Sequence, residues 1–116
     1  MDSTQSGAVD LAALATAASG HAIVWTRRTD DLNLNVLTVD AGTILPEHVN
    51  AEVDVLLLGV AGEGIVTVDG VAQPVSAGQL TVIPKGVRRA VRSAGGQFTY
   101  LTCHRRRPGL WPQGLE

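Results

Sequence analysis

"GEGIVTVDGVAQPVSAGQLTVIPKG", Gly62 to Gly86, sets three short β-branched runs, "IVTV", "VAQPV" and "LTVIP", between glycines. Runs of four or five residues are too short for stable helices, and valine, isoleucine and threonine suit a pleated, half-buried surface. Between the first two runs stands Asp69-Gly70, a pair that tolerates the left-handed backbone of a two-residue hairpin. The pattern continues outward in both directions. "VDVLLLGV" precedes the stretch and "FTYLTC" follows it, with further breaks at Gly42 and Gly95-Gly96. Many short strands at even spacing predict an all-β chain, folded as an antiparallel barrel or sandwich.

Farther upstream, "LNLNVLTV", Leu32 to Val39, alternates Leu32, Leu34 and Val36 against Asn33 and Asn35. The apolar parity then moves to Leu37 and Val39, as a bulge in this strand would produce. Val24 to Thr26 reads as another strand. One helix is expected, capped by Asp10, running through alanines and leucines and stopped by Gly20. The organisation expected is a polar segment and short helix over 1–20, a single β-barrel over 21–104 and a tail over 105–116. Trp111 in the tail is expected to pack on the barrel or on a partner subunit.

The chain has 116 residues, 45% of them apolar and 17% charged, which fits one folded domain with its own core. A formal net charge of −2 gives no general attraction to phosphate backbones, and only four aromatic residues offer little base stacking. Nucleic acid is therefore not an expected partner. Cys103 is the single cysteine, so no intrachain disulfide forms. "VDLAALATAAS" is too short to span a bilayer, so the expectation is a cytoplasmic protein with no membrane partner.

The most polar pattern is "HVNAEVDV", His48 to Val55. In one extended strand His48, Asn50, Glu52 and Asp54 share a face, opposite Val49, Ala51, Val53 and Val55. In a sheet wetted on one side the valines would be buried and the polar row exposed. With both faces covered, the polar row turns inward and becomes the wall of a site. A second pattern, Val87 to Arg92, places Val87, Arg89 and Val91 on one face and Arg88, Ala90 and Arg92 on the other. An arginine flanked by valines on its own face is expected to point inward.

Together these spacings resemble the two motifs of the cupin family. Gly42, five residues, His48, a spacer, Asn50, then Glu52 or Asp54 and a later Gly59 or Gly62 resemble the first motif. Gly78, five residues, Pro84, a spacer, Gly86 and then Arg89 resemble the second, and "GEGIVTVDG" resembles the hairpin between them. The resemblance spans residues 32–104 and implies an antiparallel cupin-like barrel, a double-stranded β-helix or jelly roll. It also implies a homodimer whose contact covers outer-face valines and leucines.

The departures from the family pattern fall on the metal ligands. Asn50 replaces the second histidine and Arg89 the third, and a guanidinium has no lone pair to give. What remains for a metal is His48, Glu52 and Asp54, with His21 or His104 reaching in from elsewhere. Such a set is expected to hold no metal, or a loosely bound divalent ion. The function implied is binding or conversion of a small polar or anionic metabolite in the barrel cavity. His48 and Asp54 would be its catalytic pair, and Asn50, Arg89, Tyr100 and His104 its substrate-binding side chains. Arg89 would pair with Asp54, Glu52 or a ligand anion. The other function is a non-catalytic ligand-binding, sensor or dimerisation module in which ion pairs replace the metal.

Overall fold

Asp69 and Gly70 take φ of 52° and 82°, and the chain folds back there as a tight hairpin. The computed structural model of the chain describes residues 7–20, 22–43 and 45–106. A helix, α1 (Leu11–Ala17), precedes nine strands: β1 (Ala22–Arg28), β2 (Leu32–Val39), β3 (His48–Val49), β4 (Val55–Ala61), β5 (Glu63–Val68), β6 (Val71–Ser76), β7 (Leu80–Ile83), β8 (Arg88–Ser93) and β9 (Phe98–Arg105). His21, Arg107 and Trp111 lie outside the described residues. Asp10 caps α1 by accepting the N–H of Ala13 at 3.1 Å, and the helix packs against β4.

The strands form two antiparallel sheets, in the orders β1-β2-β9-β4-β7 and β3-β8-β5-β6. Their facing sides bury Val39, Val53, Val55, Leu57, Val66, Val75, Ile83, Val91, Phe98 and Tyr100. Phe98 is wholly buried. It stacks on Tyr100 with ring centroids 5.2 Å apart, and its ring lies over Gly64, where a Cβ would collide with it.

β2 and β9 pair without interruption from Leu32–Arg105 to Val39–Phe98. The inner face of β2 is therefore Asn33, Asn35, Leu37 and Val39 in one parity. This corrects the expected bulge in β2: the register shift lies in β1, between Ile23 and Trp25. The leucines at 32 and 34 face away from the core, and the asparagines face in. Burial of the asparagines is tolerable because the space they enter is polar.

"HVNAEVDV" is also not one strand. β3 stops after His48 and Val49, because the buried Asn50 folds its side chain onto its own backbone. Its Oδ1 accepts the N–H groups of Glu52 at 3.1 Å and Val53 at 3.2 Å, an Asx turn. The turn breaks the alternation. Val53 and Val55 become core, whereas Glu52 and Asp54 end up exposed.

On the far side of the larger sheet, Leu58 pairs with Leu80 and Leu101, and Leu56 pairs with Val82 and Cys103. Leu80 and Val82 are 58% and 51% exposed, so this face carries an apolar patch. The Cys103 thiol sits half-buried in it, and burial pushes its pKa up. Among the described residues no helix is long and apolar enough to cross a membrane.

The Phe98–Gly64 contact leads to a direct test. Gly64→Ala forces a methyl group into a ring that has no room to move, and is expected to cost about 1–3 kcal/mol. Gly95→Ala meets nothing within 4 Å and is expected to stay within about 0.5 kcal/mol of the parent. Urea unfolding of the two variants checks both values.

Candidate functional site

The uninterrupted pairing of β2 with β9, extended by β1 and β4, sorts the inner face of the larger sheet into rows. Val39 pairs with Phe98, and Leu37 with Tyr100. The next row is Thr26, Asn35, Thr102 and Leu57, and the last described row is Arg28, Asn33 and His104. The barrel is thus apolar at one end and becomes polar over three rows. The polar rows, with Asn50, Arg89 and Val91 from the opposite side, line a cavity of about 320 Å³.

Arg89 enters this cavity because β8 alternates around it. Arg88 and Arg92 are exposed, Val91 is core, and Arg89 is half-buried between the sheets with its Nη1 buried. Its charge is felt by the phenol of Tyr100. Burial raises the Tyr100 pKa to about 12, and the guanidinium pulls in the opposite direction with the smaller effect. The phenol stays protonated at neutral pH and can both donate and accept a hydrogen bond.

Asn35 is held by Thr26, whose hydroxyl donates to its Oδ1 at 2.7 Å. Asn33 differs: it is only 5% exposed, and its Oδ1 is buried with no hydrogen-bond partner among the described residues. Beside it, His104 Nδ1 lies 2.9 Å from the carbonyl oxygen of Arg105. A carbonyl only accepts, so Nδ1 carries the hydrogen, and in the neutral ring Nε2 keeps a lone pair.

Of the residues expected from sequence, Asn50, Arg89, Tyr100 and His104 all lie in the wall of this one cavity. His48, Glu52 and Asp54 do not. His48 is opposite Arg89 in the register and shares its face, yet at the edge strand it is exposed. Asp54 accepts the backbone N–H of Lys85 at 2.9 Å. With Glu52 it borders a separate depression that also contains Lys85 and Arg105. The Asx turn at Asn50 leaves Glu52 and Asp54 exposed and outside the lining of the cavity that Arg89 enters.

The same geometry bears on a metal. Among the described residues no group of three or more His, Cys, Asp or Glu side chains is placed to hold an ion. The Asn50 amide oxygen is already taken by two backbone N–H groups, and Arg89 places a fixed cation where a ligand would be needed. The donor set that the described residues bring to this cavity does not fit a transition metal. Asn33, Asn35, Thr26, Arg28 and Thr102 were not singled out from sequence as binding residues. The parity of Leu37 and Val39, carried back through β2 without a bulge, is the signal that finds the two asparagines.

A family model described as a cupin domain matches residues 35–103. No curated protein matches the sequence. Among solved structures, TT1209 from Thermus thermophilus aligns with a TM-score of 0.72 at 20% identity, over 87% of this chain and 98% of that one. A cupin-2 domain containing protein from Shewanella frigidimarina aligns with a TM-score of 0.70 at 15% identity, over 89% and 99%. KdgF from Halomonas sp. aligns with a TM-score of 0.67 at 20% identity, over 72% and 78%. At such identities the likeness is one of fold.

The chain's single tyrosine makes the site testable by alkaline titration. Phenolate absorbance is expected to appear only near pH 12 in the folded protein, and near pH 10 in urea. Because the folded pKa lies above the unfolded one, the stabilising contribution of the buried phenol is complete below pH 10. It is lost as pH rises from about 10 to about 12. In Arg89→Met, without the guanidinium's opposing pull, the folded titration is expected to move higher still.

Proposed function

The chain belongs to the cupin family, and we propose that its barrel cavity binds a small polar anion at Arg89, in place of a metal-centred site. The observation that carries this reading is the charge of the wall. Among the described residues, Arg28 and Arg89 are the arginines of its lining, and both bring positive charge to the wall. A guanidinium in a partly desolvated cavity favours an anionic partner, and a carboxylate matches its two-pronged geometry. Asn50, Tyr100 and His104 supply further polar groups around it, as expected of a pocket that fixes orientation with few contacts.

The cavity is small. At about 30 Å³ per water-sized group, 320 Å³ corresponds to a ligand on the order of ten heavy atoms. The chemistry supported is capture and orientation: Arg89 binds the anion, the protonated Tyr100 phenol donates beside it, and the apolar end around Phe98 keeps water from passing through.

The test is a calorimetric comparison of small acids with their uncharged amides, propionate with propionamide and succinate with succinamide. The acids are expected to bind at least about tenfold more tightly. Arg89→Met, which keeps an apolar stem and removes the charge, is expected to abolish that preference without unfolding the protein. Equal binding of acids and amides, or binding unchanged in Arg89→Met, overturns the reading.

We also propose that the apolar outer face around Leu56, Leu58, Leu80, Val82 and Leu101 joins a second copy of the chain. The support is the exposure of Leu80 and Val82 on a continuous apolar patch. The wild-type protein is expected to sediment as a dimer at micromolar concentration. Leu80→Glu combined with Val82→Glu is expected to sediment as a monomer with an unchanged urea midpoint.

A further inference from the structure

Arg89 accounts for one side of the cavity. The opposite side, in the last polar row of the larger sheet, presents acceptors. Asn33 is 5% exposed and its Oδ1 is buried without a hydrogen-bond partner among the described residues. An orphaned buried acceptor costs about 1–3 kcal/mol, so such groups are few and call for an explanation. The neighbouring Asn35 is not in this position, because Thr26 donates to it. His104 is the direct cross-strand partner of Asn33. With Nδ1–H committed to the Arg105 carbonyl, the tautomer this leaves has Nε2 as a second acceptor. Both side chains belong to the same cavity wall as Arg89.

We infer that the anion held at Arg89 is a hydroxy acid, with at least one hydroxyl donating to Asn33 Oδ1 or His104 Nε2. This rests on the anion reading above and narrows it. A plain carboxylate satisfies Arg89 but has only acceptor oxygens, and brings no hydrogen to Asn33 Oδ1, to which the neighbouring Arg28 does not donate. An amino acid would supply donors through its ammonium group. That cation would enter a wall that already contains Arg28 and Arg89, and like charges repel. A hydroxyl is the neutral donor that meets the acceptors at no electrostatic cost. The Thr102 hydroxyl and Tyr100 phenol, which donate and accept, lie in the rows between the two ends. The ligand this describes is a short acid that carries at least one hydroxyl.

The experiment titrates matched pairs by calorimetry: propionate against lactate, succinate against malate, and hexanoate against gluconate, with alanine and aspartate as the amino counterparts. In at least one pair the hydroxy acid is expected to bind about tenfold or more tightly than the plain acid, and more tightly than the amino acid. Asn33→Leu replaces the orphaned amide by an apolar group of similar volume, so its urea midpoint is expected to be unchanged or higher. In this variant the ratio of hydroxy-acid to plain-acid affinity is expected to fall to about one. His104→Phe, which removes the second acceptor, is expected to act in the same direction, and it carries the test if Asn33→Leu does not fold.

Acids that need Arg89 but show no hydroxyl advantage overturn this inference and leave the anion reading standing. So does an advantage that survives both variants, which would assign the Asn33 oxygen to water, and so does tighter binding of the amino acid. Acids that do not bind, or that bind regardless of Arg89→Met, overturn both.

Discussion

The contact between Phe98 and Gly64 is the constraint on which the barrel depends. Phe98 is on β9 in one sheet and Gly64 on β5 in the other, and the ring occupies the volume that any side chain at position 64 would need. This lets the two sheets approach at one end until the ring is wholly buried. Tyr100 stacks on it from the next inward position. The closed, apolar end therefore follows from one aromatic residue and one missing Cβ. The larger sheet then carries its polar rows away from that plug, and the cavity opens where the large apolar side chains stop.

Charge follows the same geometry. The site has two arginines in its wall and every described Asp and Glu outside it. Two acids that follow the cavity residue Asn50, Glu52 and Asp54, are turned out by that single side chain, which completes a turn with its own backbone. An asparagine at the position of a second metal histidine thus does more than remove a ligand. It redirects the residues that follow. Arg89 puts a fixed cation in the wall, and the buried Tyr100 phenol remains a hydrogen-bond donor across the ordinary pH range.

The exposed ion pair in the same region has little weight by comparison. Arg88 and Glu47 approach to 4.0 Å with both side chains largely solvated, a geometry that contributes about 0–1 kcal/mol. Two adjacent arginines of one strand therefore play different parts. Arg88 is a solvated surface charge, and Arg89 is set into a wall between valines.

The sequence by itself determined the strand-rich class, the Asp69-Gly70 hairpin, the capped helix and the cupin outline, because each is a local matter of turn chemistry, periodicity or spacing. It also placed Arg89 on the face of Val91, since β8 alternates without interruption. Two assignments failed where a strand was assumed to continue, or to break, on apolar pattern alone. "HVNAEVDV" alternates faithfully in composition, but its backbone turns at Asn50, and "LNLNVLTV" looks bulged while its pairing with β9 is continuous. In both places the deciding energy is non-local. Which face of a strand is buried depends on what stands opposite, and whether an asparagine can be buried depends on a polar cavity assembled from several other strands. The tertiary structure alone brought Asn33, His104 and Arg89 to one space, because that proximity comes from sheet order and register, which no spacing along the chain records.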